Sequence, residues 1–161
     1  MQRRSFITAA VALAGAGGFA GFRWAGQGNA AESFEFTRTE AEWKEMLTDL
    51  EYHVMREEGT ERAFTSPLDK NYDPGLYHCK GCDLALYSSE HKFDSGTGWP
   101  SFWQALPNAI GTKEDNTLFT TRTECHCRRC GSHLGHIFED GPEPTGKRHC
   151  INGVSLVFKA A

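Results

Sequence analysis

The chain lacks a basic stripe. Its 17 Lys and Arg are outnumbered by 21 Asp and Glu, leaving a formal charge of -4. Mixed signs and mild acidity exclude the electrostatic footprint of a nucleic-acid binder. It lacks an internal period, which excludes a stacked-repeat architecture. It also lacks a long apolar run: the stretch from Phe6 to Phe22 is about seventeen residues, rich in Ala and Gly, at the short limit for a spanning helix. Disorder is excluded from the other side, because 12% aromatics in 161 residues supports a real core. That length suits one folded domain.

The short apolar run has its own reading. Arg3-Arg4 precede Ser5-Phe6-Ile7, and Gly28-Asn29-Ala30 follow. A charged start, an apolar middle and small residues at the end make an export signal, here of the twin-arginine type. Residues 1–30 are therefore expected to be a signal cleaved after Ala30, with Ala31 the next choice, and residues 31–161 the folded domain. The expected location is the bacterial periplasm, with membrane contact only through an uncleaved signal.

Thr39-Glu40-Ala41-Glu42 matches a helix-starting capping box. Trp43, Met46, Leu47 and Leu50 then recur at helical spacing on one face. Glu51 to Arg62 is charged and suits a second short helix or turn. From Leu76 onward the pattern changes to short strands between turn residues. The candidates are Leu76 to Cys79, Leu84 to Tyr87, Leu118 to Thr123, Leu134 to Phe138 and Cys150 to Phe158. In the last of these, read at period two, Cys150, Asn152, Val154, Leu156 and Phe158 share a face. The expected fold is mainly β: two antiparallel sheets with short N-terminal helices and a four-cysteine zinc site.

Of the six cysteines, four form Cys79-Lys80-Gly81-Cys82 and Cys127-Arg128-Arg129-Cys130, two C-x-x-C units with 44 residues between them. One such turn presents two thiolates to an ion, and two complete a tetrahedron, the set that suits structural zinc, one per chain. Disulfides or a redox-active dithiol are the competing readings in an exported chain. Cys125 and Cys150 remain. Cys150 follows Arg148 and His149, which could favour thiolate, and a Gly- and Pro-rich loop leads into it.

Two further stretches carry chemistry-bearing residues. Phe93 to Trp103 packs glycines, Pro100, Trp99 and Phe102 into one loop, either a core plug or the wall of an apolar pocket. His133 and His136 follow the second C-x-x-C unit. At that spacing they reach one site only if Gly135 bends the strand. They are metal-supporting groups, surface histidines or proton donors.

Taken together, these motifs resemble the R-specific (type B) methionine sulfoxide reductases, from about Trp43 to Phe158. The anchors are Trp43 with Leu47, Arg56 to Glu61, both C-x-x-C units, Phe93 to Phe102, Ser132 to Phe138 and Arg148 to Leu156. The resemblance implies that Cys150 attacks the sulfoxide sulfur and is left as a sulfenic acid. It implies that His133 and His136 bind and protonate the oxygen, and that Trp99, with Phe102, walls the methyl pocket. Asn152 becomes a second polar contact and Arg148 the partner of the thiolate. The implied partners are oxidised methionine in proteins or peptides and a thioredoxin-like thiol reductant; a monomer is the default. Two positions depart from the pattern. Thr97 stands where many relatives carry a resolving cysteine, so either Cys125 takes that task or an external thiol reduces the sulfenic acid directly, the preferred reading. Gly153 stands where Ser is more usual. The rival functions are a non-catalytic zinc-binding β module and a C-x-x-C disulfide oxidoreductase.

Overall fold

The computed structural model describes residues 33–117 and 120–161. The expected export signal and its cleavage point lie outside the described residues. Helix α1 (Glu40–Met46) starts where the capping box places it, with Thr39 and Glu42 satisfying each other's backbone N–H groups. It is shorter than the apolar spacing suggested. Leu47 turns extended, and Thr48 with Glu51 forms a second capping box that starts α2 (Asp49–Glu57). The four-residue face is therefore split. Trp43 and Leu47 are buried, whereas Met46 and Leu50 are 39% and 48% exposed.

Among the described residues nine antiparallel strands follow: β1 (Gly75–Cys79), β2 (Ala85–Ser88), β3 (Lys92–Phe93), β4 (Ser101–Phe102), β5 (Ile110–Asp115), β6 (Arg122–Cys127), β7 (His133–Phe138), β8 (Arg148–Ile151) and β9 (Leu156–Ala160). They form a three-stranded sheet in the order β2-β1-β9 and a six-stranded sheet in the order β3-β4-β8-β7-β6-β5. The expected class, two antiparallel sheets with two short helices and a four-cysteine cluster, is what the chain adopts. Among the described residues no helix is long and apolar enough to cross a membrane.

Three expectations are corrected. The C-terminal stretch is not one strand: β8 belongs to the larger sheet and β9 to the smaller, separated by Asn152 and a 3-10 turn over Gly153–Ser155. Cys150 therefore shares no sheet face with Leu156 and Phe158. The break has a cause in Glu61, whose buried carboxylate accepts the N–H groups of Gly153 and Val154 and so removes them from any ladder. Gly153 itself is required by a close approach, since a Cβ there would lie 1.9 Å from Ser66 Oγ. Secondly, β6 overlaps the expected Leu118 to Thr123 strand only at Arg122 and Thr123 and runs on to Cys127, while Leu118 itself lies outside the described residues. Strands β3 and β4 are too short to show a period, and β5 runs Thr112-Lys113-Glu114 along an exposed edge.

The third correction concerns Phe102. It is fully buried, stacked on Tyr87 at 4.4 Å between ring centroids and edge-on to Tyr77 at 5.0 Å. These rings fill the space between the sheets with Leu86, Leu134 and Ile151. Offset and edge-on pairs of this kind add to what burial alone contributes. Phe102 is core, not a substrate contact.

Candidate active site

The two C-x-x-C units meet in the fold. Each is a tight turn closed by a backbone hydrogen bond, Asp83 N–H to Cys79 C=O and Gly131 N–H to Cys127 C=O, both 2.8 Å. Each turn uses a left-handed residue, Asp83 at φ 63° and Gly131 at φ 68°. The turns bring Cys79 Sγ to 3.6 Å from Cys130 Sγ and Cys82 Sγ to 3.5 Å from Cys127 Sγ, with all four ligand atoms within 4.8 Å of one another. An ion about 2.3 Å from each of four sulfurs requires edges of about 3.8 Å, whereas a disulfide requires about 2.05 Å. The donor set fits a four-thiolate metal site. All four thiols are buried, and four ligands leave no position for water or substrate.

The second feature is a cavity of about 140 Å³ lined by Thr60, Trp99, Arg122, Gly135, His136, Phe138, Cys150 and Asn152. The topology explains the assembly. Cys150 is opposite His136 on β7 and Ser101 on β4, and Trp99 sits in the loop leading into β4. Gly135 lets β7 lie close to β8, because a Cβ there would be 2.0 Å from Cys150 C=O. Cys150 is half-buried; the other five cysteines are fully buried. Burial raises its thiol above the ordinary range, while Thr97 and Arg148 pull the other way. Thr97 Oγ1 is 3.9 Å from the sulfur.

The ladder between β6 and β7 skips one residue, so that Cys125 faces Gly135 and His126 faces His133. The irregularity falls at Leu134, not at Gly135 where a bend was expected. It brings the His133 and His136 rings to 5.4 Å between centroids. Only His136 lines the cavity. Its Nε2 lies 2.8 Å from Asp115 Oδ2. Hydrogen bonds from Thr117, then His136, hold Asp115 well below the usual carboxylate range. Burial lowers the His136 imidazolium pKa, and Asp115 opposes that. His133 is behind, buried, with Nδ1 2.6 Å from Glu124 Oε1. Burial would raise the Glu124 carboxyl, but hydrogen bonds from His126 and His133 outweigh it and bring it down to about 2.

The sequence that builds this site is matched by known proteins. The SelR domain model matches residues 47–160. The chain belongs to the SelR, or type B methionine sulfoxide reductase, family. It is 54% identical over 123 residues to the peptide methionine sulfoxide reductase MsrB of Methanosarcina barkeri, covering 76% of this chain and 87% of that one. Against the MsrB of Agrobacterium fabrum it is 50% identical, covering 76% and 91%. Against that of Leptospira interrogans it is 46% identical over 128 residues, covering 79% and 98%.

The other residues implied by the family resemblance fall in different places. Trp99 lines the cavity, with its indole N–H donated to Glu61 C=O at 3.1 Å. Asn152 lines it too, with Oδ1 accepting from Glu61 N–H at 2.9 Å and Nδ2 donating to Leu134 C=O at 3.1 Å. Arg148 is outside the cavity lining and makes a bidentate pair with Asp140, both contacts 2.9 Å. His149, expected to help the thiolate, faces the core: its Nδ1 is 3.2 Å from Tyr87 Oη and burial takes its pKa down to about 4. It is neutral and does not serve Cys150. Cys125 is sealed in the core, and burial pushes its thiol far above the ordinary range.

Asp115, Arg122, Thr60, Glu61 and Asp140 were not singled out from the sequence. Isolated charged residues on loops and strand ends carry no periodic signal. Only Thr60 and Glu61 lay within a stretch that the family resemblance marked.

Proposed function

We propose that this chain is a peptide-methionine (R)-S-oxide reductase whose nucleophile is Cys150. The observation that carries the assignment is that Cys150 alone among six cysteines is half-buried at a cavity, beside Trp99, His136 and Asn152. In the reaction the Cys150 sulfur attacks the sulfoxide sulfur. The S–O bond to methionine breaks, and the oxygen ends on Cys150 as S–OH, with the proton once held by the thiol retained in the product. The substrate sulfur is reduced by two electrons and the Cys150 sulfur is oxidised by two.

The remaining residues orient this exchange. The indole face of Trp99 takes the substrate methyl, and the His136 side, with Asp115 and Arg122 behind it, takes the developing charge on oxygen. Two fixed positions around a chiral sulfur select one epimer. Two external thiols then restore Cys150, leaving as a disulfide with release of water. Direct reduction is favoured over Cys125 because that thiol is sealed and un-ionised. The four-cysteine site suits zinc, which has no redox chemistry to compete with the reaction, and there it would support folding only. Residues 1–30 are assigned as an export signal on the strength of Arg3-Arg4 and the apolar run; N-terminal sequencing of the periplasmic form should start at Ala31.

The test follows a racemic methionine sulfoxide mixture by chiral separation, with dithiothreitol as reductant. The R form alone should disappear, and Cys150→Ser should abolish the loss. Turnover surviving in that variant would overturn the nucleophile. Mass mapping after one turnover should find a sulfenic acid on Cys150, and a Cys125–Cys150 disulfide would refute direct reduction.

A further inference from the structure

The loop that walls the cavity carries a row of three hydroxyl groups ending at Cys150. Ser101 Oγ donates to Trp99 C=O at 3.1 Å. Ser95 Oγ lies 2.7 Å from Ser101 Oγ and 2.8 Å from Thr97 Oγ1. Thr97 Oγ1 is 3.9 Å from Cys150 Sγ. Each hydroxyl owns one hydrogen, and a carbonyl only accepts. That count sets the direction of the row. Ser101 spends its hydrogen on Trp99, so Ser95 must donate to Ser101, and Thr97 must donate to Ser95. The only hydrogen left for the last contact is that of Cys150 S–H. With every bond made, the row holds Cys150 as a thiol. A thiolate has no hydrogen to give, and for this row to add to the stabilisation that Arg148 provides, Thr97 O–H must turn onto it.

We propose that Ser101, Ser95 and Thr97 form a reversible relay that points away from Cys150 as a thiol and toward it as a thiolate or sulfenate. Thr97 touches the reacting sulfur and is the catalytic member; Ser95 and Ser101 are positioning residues. In the reversed state Ser101 donates to Ser95, Ser95 to Thr97 and Thr97 to sulfur, and Trp99 C=O is released. Only the S–H bond breaks on ionisation: that proton leaves to solvent, and each hydroxyl hydrogen stays on its own oxygen and turns. The relay rests on the reading of Cys150 as nucleophile, and places a hydroxyl switch where many family members carry a resolving thiol. The charged and titratable groups around Cys150 are Arg148 on its own strand with Asp140 against it, His136 opposite on β7 with Asp115 bonded to it, Arg122 in the cavity wall, and the Cys125 thiol on β6. The single substitutions below change none of them.

The test is the pH dependence of Cys150 alkylation by iodoacetamide, read by mass mapping of the Cys150 peptide in the full chain. Thr97→Val removes the hydroxyl donor and leaves Arg148 as it is, and should move the midpoint up by roughly half to one pH unit. Ser95→Ala removes the acceptor that holds Thr97 away, and should move it down by a similar amount. Ser101→Ala should share the sign of Ser95→Ala and serves in its place should that variant not fold. Thr97→Ser should keep the wild-type midpoint. Any result other than opposite shifts for Thr97→Val and the serine variants overturns the relay. Alkylation needs no sulfoxide, so its outcome is separate from that of the Cys150→Ser activity assay.

Discussion

Replacing Glu124 by glutamine should cost about 2 kcal/mol of stability at neutral pH, and the cost should shrink in acid. Glu124 is 1% exposed and accepts from His126 Nδ1 at 2.9 Å and His133 Nδ1 at 2.6 Å. Glutamine keeps the shape but offers one acceptor where two N–H groups point. Two charge-assisted bonds become one neutral bond and one mismatched contact, a loss of about 2–3 kcal/mol. Linkage provides an independent figure. The carboxyl moves from the ordinary 4.5 down to about 2, and at about 1.4 kcal/mol per unit this is roughly 3.5 kcal/mol, an upper bound of the same order. Because the folded-state pKa is depressed, the stabilisation is complete above the unfolded value and fades as pH falls toward 2. Urea unfolding of both proteins should therefore show the full difference near pH 7 and a difference smaller by close to 1 kcal/mol near pH 4. A gap under about 0.5 kcal/mol, or one that is equal at both pH values, would refute the reasoning.

His136→Asn should lower kcat by roughly 10²-fold or more, while Trp99→Ala should act mainly on KM; steady-state kinetics on a peptide sulfoxide separates the two. Removing the metal with a chelator in reducing buffer, or introducing Cys82→Ser, should lower the melting temperature by roughly 10 °C or more, with metal content followed by mass spectrometry. Gly153→Ala should destabilise by about 1–3 kcal/mol through overlap with Ser66, and Ser66→Gly in the same chain should recover most of that in denaturant titrations.

The features legible in the sequence were those carried by local chemistry. Thr39 with Glu42 announced a helix start because the capping bonds span three residues. The two C-x-x-C turns announced a metal site because each is a self-contained knuckle. The family resemblance pointed to Cys150, Trp99 and His136, which the fold brings to one cavity. Other readings failed where distant groups decided. Glu61 ends β8 from 92 residues away, and no window of sequence around Cys150 contains it. Phe102 in β4 is three residues from Trp99, yet one ring faces Tyr87 and the other lines the cavity.

The amino-acid sequence alone determined the helix start at Thr39 and the two knuckles, because each depends on residues within a few positions of one another. Tertiary structure decided which of six sulfurs is open to a cavity, that His136 stands in front of His133, and that Asp115 and Glu124 back them. Those outcomes depend on one skipped residue in the β6–β7 ladder and on which sheet each strand joins. Register and burial are properties of the packed chain, set only when its strands find their partners.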